Sequence, residues 1–98
     1  MTIRLARFEP MSPEVETAML DNLRNRFRAA LQAQEGFLSA YWARADDGSW
    51  ISFSLWESRE AMDRGGREAN AVPLQPHQRS ELIPSPTSAE LYEVVERG

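Results

Sequence analysis

The spacing of hydrophobic and polar residues predicts four β-strands and one long amphipathic helix. Residues 2–8, 37–44, 49–56 and 88–96 carry apolar side chains in the short runs that are typical of strands. After the first strand, apolar side chains recur every four residues, which predicts a helix from Pro13 to about Gln34. The members of this stripe are Val15, Met19, Leu23, Phe27 and Leu31.

Residues that begin and end helices divide the chain further. Ser12 followed by Pro13 is typical of a helix N-terminus, because serine caps the helix and proline fits its first position. The segment Asp46–Gly48 is a turn signal, which makes the second and third strands an antiparallel hairpin. Ser58 caps a second helix, and the pair Gly65-Gly66 weakens that helix.

The element order is therefore β-α-β-β-α-β, in a single domain that spans residues 1–98. This order is that of a ferredoxin-like α+β fold, in which a four-stranded antiparallel sheet carries its helices on one face. A proline-rich stretch from Pro73 to Pro86 precedes the last strand, and a short helical piece around His77–Leu82 is predicted within it.

The third strand has no face suited to water. One face carries Ile51, Phe53 and Leu55, and the other carries Trp50, Ser52, Ser54 and Trp56. One face meets the helices, and the other needs a second sheet that a chain of 98 residues does not have. We therefore expect a homodimer in which two sheets pack face to face, with a cavity beside the tryptophans. The pattern leaves open which face meets which partner.

Composition narrows the set of partners. The chain is 42% hydrophobic and 27% charged, and its formal net charge is −4. An acidic chain does not attract nucleic acid or anionic membranes by its net field. No apolar run is long enough to span a bilayer, and no signal-peptide pattern is present. We expect a cytoplasmic protein with no nucleic-acid or membrane partner.

Missing residue types exclude several kinds of catalytic group. Without cysteine there is no thiolate nucleophile, disulfide or cysteine zinc site, and without lysine there is no Schiff base. His77 is the only histidine, so one chain cannot build a multi-histidine metal site, and no metal is expected. An enzyme of this composition takes its reactivity from its substrate or from one bound external cofactor.

The segment Glu35–Met62 resembles the signature of the antibiotic biosynthesis monooxygenase family, part of the dimeric α/β-barrel superfamily. The similar features are the Glu-Gly-Phe opening at Glu35–Phe37, the hairpin, and Trp56-Glu57-Ser58 leading into a helix. The ending at Leu91–Glu96 is similar too. Members of the family include cofactor-free oxygenases of aromatic polyketides, haem-degrading enzymes, enzymes of small carbonyl or signal molecules, and proteins without assigned activity.

The resemblance implies site residues on the third strand and the following helix. In the cofactor-free oxygenases an asparagine lies four residues before the strand-end tryptophan, which Trp56 matches. Ser52 stands at the asparagine position and can donate one hydrogen bond to a substrate carbonyl. The family's helix tyrosine falls near Met62, which takes no part in proton transfer and is interpreted either as core or as cavity wall.

Haem-degrading relatives are matched less well. Their first-strand asparagine aligns with about Arg7, and their helix tryptophan aligns near Gly65, so two of three positions differ. Only His77 lies at roughly the distance of their proximal histidine. His77 is either a loop residue or a general base, because the pKa of histidine suits proton transfer near neutrality.

Other candidate ligand contacts follow from strand direction and charge. Trp50 is either a core aromatic or a ligand platform. Tyr41 and Trp42 point to opposite sides of the second strand, so one of them lines the same space as the tryptophan–serine face. Arg44 and Arg79 either bind an anionic group or remain solvated.

Three functions remain open. The first is a cofactor-independent monooxygenase acting on a small aromatic or quinol-type substrate, with His77 as base, Ser52 as positioning donor and Trp56 at the site. The second is a non-catalytic ligand-binding or accessory dimer. The third is a non-oxidative isomerase or cyclase on the same fold.

Overall fold

A computed structural model describes residues 1–98 and confirms the predicted ferredoxin-like α+β fold. The first helix has three consecutive parts and packs beside the second helix on one face of the sheet. In chain order the elements are β1 (Thr2–Phe8), the first helix (Pro13–Asn22, Leu23–Phe27 and Arg28–Gln32), β2 (Phe37–Arg44), β3 (Trp50–Trp56), the second helix (Arg59–Ala71), a 3₁₀ turn (Ser80–Leu82) and β4 (Ser88–Glu93). No helix is both long enough and apolar enough to cross a membrane.

The four strands form one antiparallel sheet in the order β2-β3-β1-β4. Phe8 pairs with Trp50 at one end of the β1–β3 ladder, and Thr2 pairs with Trp56 at the other. The β2–β3 hairpin has an irregularity between Phe37 and Ser39, where one strand gains a residue. Residues that pair directly across neighbouring strands point to the same face of the sheet, so this register decides which side chains meet.

The two faces of the sheet have different neighbours. The tryptophan–serine face meets the helices, because Trp50 and Trp56 are both buried among helical side chains. The opposite face carries half-buried or exposed apolar side chains that no helix covers, and we call it the open face. Its apolar members are Ile3, Leu5, Tyr41, Ile51, Phe53, Leu55 and Tyr92.

The first helix widens into a π turn at Leu23–Phe27, which was not predicted from the sequence. The apolar stripe of this helix repeats every four residues, and each step overshoots a 3.6-residue turn by roughly 40°. A π turn takes more residues per turn, so it brings the stripe back toward the sheet. Leu23 and Leu31, at the start of the turn and after it, are both buried for this reason.

Arg26 ties the π turn to the end of the second helix. Its Nε donates to Oδ1 of the buried Asn22 at 2.8 Å, and its Nη1 donates to the Val72 carbonyl oxygen at 2.7 Å. The carbonyls at a helix C-terminus lack partners within the helix, so this donor satisfies one of them. The second helix is thereby fixed against the first at the end where both approach the proline-rich stretch.

Gly65 lets the second helix approach the sheet closely. A Cβ built at Gly65 would lie 2.5 Å from Cζ3 of Trp56, a contact that real side chains do not make. The indole of Trp56 therefore occupies the space that a side chain at position 65 would need. The helix continues through Gly65-Gly66 to Ala71, so the glycine pair does not end it.

The proline-rich stretch is held on the first helix by a polar cluster. His77 Nε2 lies 2.9 Å from Oδ2 of Asp21, and Gln78 Nε2 donates to the same oxygen at 3.0 Å. Gln75 Nε2 donates to the Asn25 carbonyl oxygen at 2.8 Å. The helical piece predicted here is a single 3₁₀ turn at Ser80–Leu82, and β4 ends at Glu93, three residues before its predicted end.

Gly65→Ala tests the close approach of the second helix to Trp56. Overpacking should lower the free energy of unfolding by about 1–3 kcal/mol, whereas the higher helix propensity of alanine should raise it by about 1 kcal/mol. Because Trp56 is only 1% exposed and has little room to move, we expect a net loss in the free energy of unfolding. Urea unfolding followed by circular dichroism measures it.

Gly66→Ala is the matched control, because nothing lies within 4 Å of a Cβ built there. It makes the same change of residue in the same helix without the clash, so we expect it to stabilise the protein by about 0.5–1 kcal/mol. Equal effects of the two substitutions would show that Trp56 does not limit the space at Gly65.

Asp21→Asn tests the polar cluster on the first helix. Hydrogen bonds from Gln78, Asn25 and His77 hold the pKa of the Asp21 carboxyl below its usual range. A pKa that is lower in the folded chain than in the unfolded chain stabilises the fold above the unfolded pKa. That contribution is lost as the pH falls through the folded pKa. We therefore expect the substitution to lower the thermal midpoint at neutral pH and the difference from wild type to shrink in acid. A difference that is independent of pH would contradict this account.

Candidate functional site

A cavity of about 540 Å³ lies between the tryptophan–serine face of the sheet and the two helices, and we call it the main cavity. Strands supply its floor and the tryptophans Trp42 and Trp56, and the helices supply the remaining walls. Its lining residues are Arg4, Phe27, Leu31, Ala40, Trp42, Ser52, Phe53, Ser54, Trp56, Met62, Asp63, Gly66, Arg67, Asn70 and Ala71. Mostly apolar walls with a few polar groups are typical of a small-molecule site.

Alternation along β3 places Ser52, Ser54 and Trp56 on the floor of the main cavity. The small serines leave room above the sheet where larger side chains would fill it. Phe27 enters from the π turn of the first helix, and Met62 enters from the first turns of the second helix. The predicted pair of Ser52 and Trp56 is thus brought together, with Met62 beside them.

Trp56 forms a fixed wall of the main cavity. It is 1% exposed, and its ring meets Phe37 edge-on with 5.3 Å between the ring centroids. Its indole Nε1 donates to Ser54 Oγ at 3.0 Å, so this N–H is already engaged within the protein. The Ser54 hydroxyl accepts that bond and keeps its own proton available for another acceptor.

The structure places Trp42, not Tyr41, on the cavity side of β2. Trp42 lines the main cavity and meets Phe27 edge-on at 6.4 Å between ring centroids. Tyr41 is 67% exposed on the open face, where its ring lies 6.2 Å from that of Phe53. Strand alternation allowed either orientation, and only the position of the helices decides between them.

Trp50 and Arg44 lie outside the main cavity. Trp50 is buried in a second cluster with Phe8, Met19 and Leu23, and its Nε1 has no hydrogen-bond partner. The guanidinium of Arg44 forms an ion pair with Glu16 on the first helix. Trp50 therefore belongs to the core, and Arg44 joins the end of the hairpin to the helix.

His77 and Arg79 lie in a different groove from Trp56. This second groove has about 560 Å³ and runs between the first helix and the proline-rich stretch. His77 contacts Asp21 there, and Arg79 Nε lies 2.7 Å from Oε1 of Glu81. Neither residue is part of the main cavity, so the structure does not bring the predicted base to the predicted substrate wall.

Several charged and polar residues of the main cavity were not found from the sequence. Arg4 on β1 shares the parity of the buried Ala6, and this signal becomes readable once the helix-facing side of the sheet is known. Asp63 and Arg67 follow Met62 on the second helix, four residues apart, and both line the cavity. Asp63 is the only carboxylate among the lining residues.

Solved structures with the same fold include enzymes. MhuD, a heme degrader from Mycobacterium tuberculosis with two hemes bound in its active site, matches with a TM-score of 0.73 at 17% identity, covering 100% of this chain and 99% of that chain. Rv0793 from the same organism matches with a TM-score of 0.68 at 22% identity, covering 98% of this chain and 96% of that chain. At such identities the likeness shows the fold.

A third match is the monooxygenase ActVA-Orf6 of Streptomyces coelicolor in complex with nanaomycin D, with a TM-score of 0.64 and 19% identity. The match covers 99% of this chain and 88% of that chain. No curated protein sequence matches this chain significantly. The family model for antibiotic biosynthesis monooxygenase matches residues 1–64, which include β1, the first helix, the hairpin and the start of the second helix. On this match, which takes in more than half of the sequence, the chain belongs to the antibiotic biosynthesis monooxygenase family.

Proposed function

We propose that this protein is a cofactor-independent monooxygenase that acts on a small aromatic or quinol-type substrate in the main cavity. The observation that carries the proposal is the cavity itself, which joins aromatic walls to a floor of serine hydroxyls in a chain of this family. Trp42 and Trp56 stand on the same side of the sheet; the half-buried Trp42 offers ring surface to a flat ligand, and the buried Trp56 supports the cavity behind it.

The reaction needs no external reductant when the substrate itself supplies the electrons. In an anthrone-type substrate, deprotonation gives a phenolate that reacts with O₂ at the ring carbon. One oxygen atom becomes the new carbonyl, and the other leaves as water with the two hydrogen atoms of the former CH₂ group. The protein contributes orientation of the substrate and a proton acceptor.

Three residues receive distinct roles in this proposal. The Ser52 hydroxyl donates a hydrogen bond to the substrate carbonyl, since no protein group engages it. Trp56 forms part of the cavity wall and does not donate a hydrogen bond to the substrate, because its indole N–H is hydrogen-bonded to Ser54. Asp63 takes the substrate proton in place of His77, because Asp63 is the carboxylate that lines the cavity and His77 lies in another groove.

The residues of the main cavity do not fit haem. No histidine, cysteine or tyrosine is among its lining residues, so Met62 is the only side chain with a donor that iron in haem proteins commonly takes. The position that aligns with the haem degraders' helix tryptophan is Gly65, and Trp56 fills the space of its missing side chain.

A second candidate function is a ligand-binding or accessory module without catalysis. The observation in its favour is that the only histidine lies outside the cavity and that Asp63, the remaining proton acceptor, is exposed. In this case the main cavity would bind an aromatic ligand and release it without chemical change.

We also propose that the protein is a homodimer joined through the open face. Ile51, Tyr41 and Tyr92 are each at least 36% exposed on a face that the helices leave uncovered. The transfer of apolar side chains out of water is favourable. Two copies of the sheet that pack face to face remove these side chains from water. The helices and the main cavity then lie on the outer side of each sheet.

Asp63→Asn separates catalysis from binding in the main cavity. If Asp63 accepts the substrate proton, we expect oxygen uptake with anthrone-type substrates to fall by about 10²-fold or more, the usual contribution of a general base. The binding of the substrate, measured by calorimetry in the absence of oxygen, changes much less. An oxygen electrode gives the rate.

Glu60→Gln is the matched control, because it removes an exposed carboxylate from the same helix outside the cavity. We expect its rate to equal that of wild type. A loss of uptake in His77→Ala but not in Asp63→Asn would contradict the assignment of the base. Binding without uptake in wild type would favour the accessory module, and turnover without uptake would favour an isomerase or cyclase.

Ile51→Glu tests the homodimer. Ile51 is the cross-strand neighbour of Arg7 on β1, so the folded monomer should tolerate a carboxylate at position 51. In the dimer the same carboxylate would be buried in the interface, which is unfavourable. We expect light scattering at micromolar concentration to report a dimer for wild type and a monomer for this variant. Val72→Glu, an equal change at an exposed residue on the helix side, leaves the dimer intact. A monomeric wild type would overturn the proposal.

A further inference from the structure

Arg4 is a cation without a protein partner in the floor of the main cavity. It is half-buried on the helix-facing side of β1, and its cross-strand neighbour on β3 is Ser54. None of the ion pairs of the structure includes Arg4, and no side-chain hydrogen bond does. An arginine carries five N–H donors and stays charged at every relevant pH.

Arg4 also lines a smaller adjoining cavity of about 240 Å³, which lies toward the proline-rich stretch. The two cavities share Arg4, Phe27, Trp42, Ser52 and Asn70 as common lining. Arg4 therefore stands at the junction of the two spaces, and a ligand in either of them can reach it.

The charge of the main cavity is opposite in sign to that of the whole protein. Its lining contains two arginines and one aspartate, a balance of +1, whereas the chain carries −4. The chain has 15 carboxylates, yet none forms an ion pair with Arg4 or Arg67. A charge that is partly removed from water without a partner is unfavourable, so a ligand that supplies the partner gains affinity.

We propose that the main cavity selects aromatic ligands that are anions, with the charged oxygen on the Arg4 guanidinium and the Ser54 hydroxyl. Ser54 takes part because it accepts from Trp56 Nε1 and still has a proton to donate. The flat body of the ligand lies against Trp42 and Phe27, two half-buried aromatic residues of the lining. This inference rests on the proposed function and names the substrate class: an aromatic phenolate or carboxylate.

For a phenol the selection has a chemical consequence. A cation beside the oxygen favours the charged form, so the pKa of the bound phenol falls below its value in water. The phenolate is the form that reacts with O₂, so Arg4 would raise the reactive fraction while Asp63 takes the proton. Arg4 is then a binding residue that also sets the charge state of the substrate.

Calorimetry with naphthoate and naphthalenemethanol tests the selection, since these probes have the same ring system and differ in charge. For the wild-type protein we expect naphthoate to bind about tenfold to a hundredfold more tightly, the size expected for a charge-assisted hydrogen bond. Arg4→Gln should abolish this preference and leave naphthalenemethanol binding within about twofold. Arg64→Gln, an equal change at an exposed arginine outside the cavity, should keep the preference.

The absorbance of para-nitrophenol distinguishes a phenolate from a carboxylate site. On wild type we expect the apparent pKa of the bound phenol to fall by about one unit, and on Arg4→Gln we expect no fall. A carboxylate preference without this fall restricts the site to carboxylates and overturns the phenolate part.

Equal affinities for charged and neutral probes would overturn the selection while leaving the cavity as an aromatic site. Failure of both probes to bind would instead overturn the proposed function, and this inference with it. Circular dichroism of Arg4→Gln confirms that the sheet is intact. The two failures are therefore distinguishable in a single set of titrations.

Discussion

The contact between the Trp56 indole and Gly65 sets the distance between the sheet and the second helix. The ring stands where a side chain at position 65 would be, and it is held in place by Ser54 through its N–H and by Phe37 at its edge. The distance of Met62, Asp63 and Arg67 from the sheet follows from this spacing, because they lie on the same helix as Gly65. A larger separation would widen the main cavity, and a smaller one would leave less room above Ser52.

Most of the fold could be predicted from the sequence because its signals are local. Ser12 and Ser58 accept the predicted capping hydrogen bonds from Val15 and Ala61, and Gly48 adopts the positive φ that its turn needs. The π turn could not be predicted in this way. It corrects an angular drift that accumulates along the whole helix, and no single residue marks it.

The candidate site was predictable on β3 and, through the family resemblance, at Met62 on the second helix. Alternation grouped Ser52 with Trp56 correctly, but it could not say which of Tyr41 and Trp42 faces the helices, because that depends on where the helices lie. His77 was predicted to be the base because it is the only histidine. Its position depends on contacts between the proline-rich stretch and Asp21, which the local sequence does not encode. Arg4 was missed because a charged residue in a strand is usually solvated.

The register of the sheet also implies an order of assembly. The β2–β3 hairpin closes over a few residues at Asp46–Gly48, whereas β1 pairs with β3 across about half of the chain and with β4 across most of it. Loop-closure entropy delays such distant pairings, so the hairpin can exist before its neighbour arrives. During that interval the row of Ile51, Phe53 and Leu55 lies beside an unpaired strand edge, the arrangement most prone to aggregate. In the folded sheet β1 covers this edge, so we expect a substitution that slows the docking of β1 to promote aggregation.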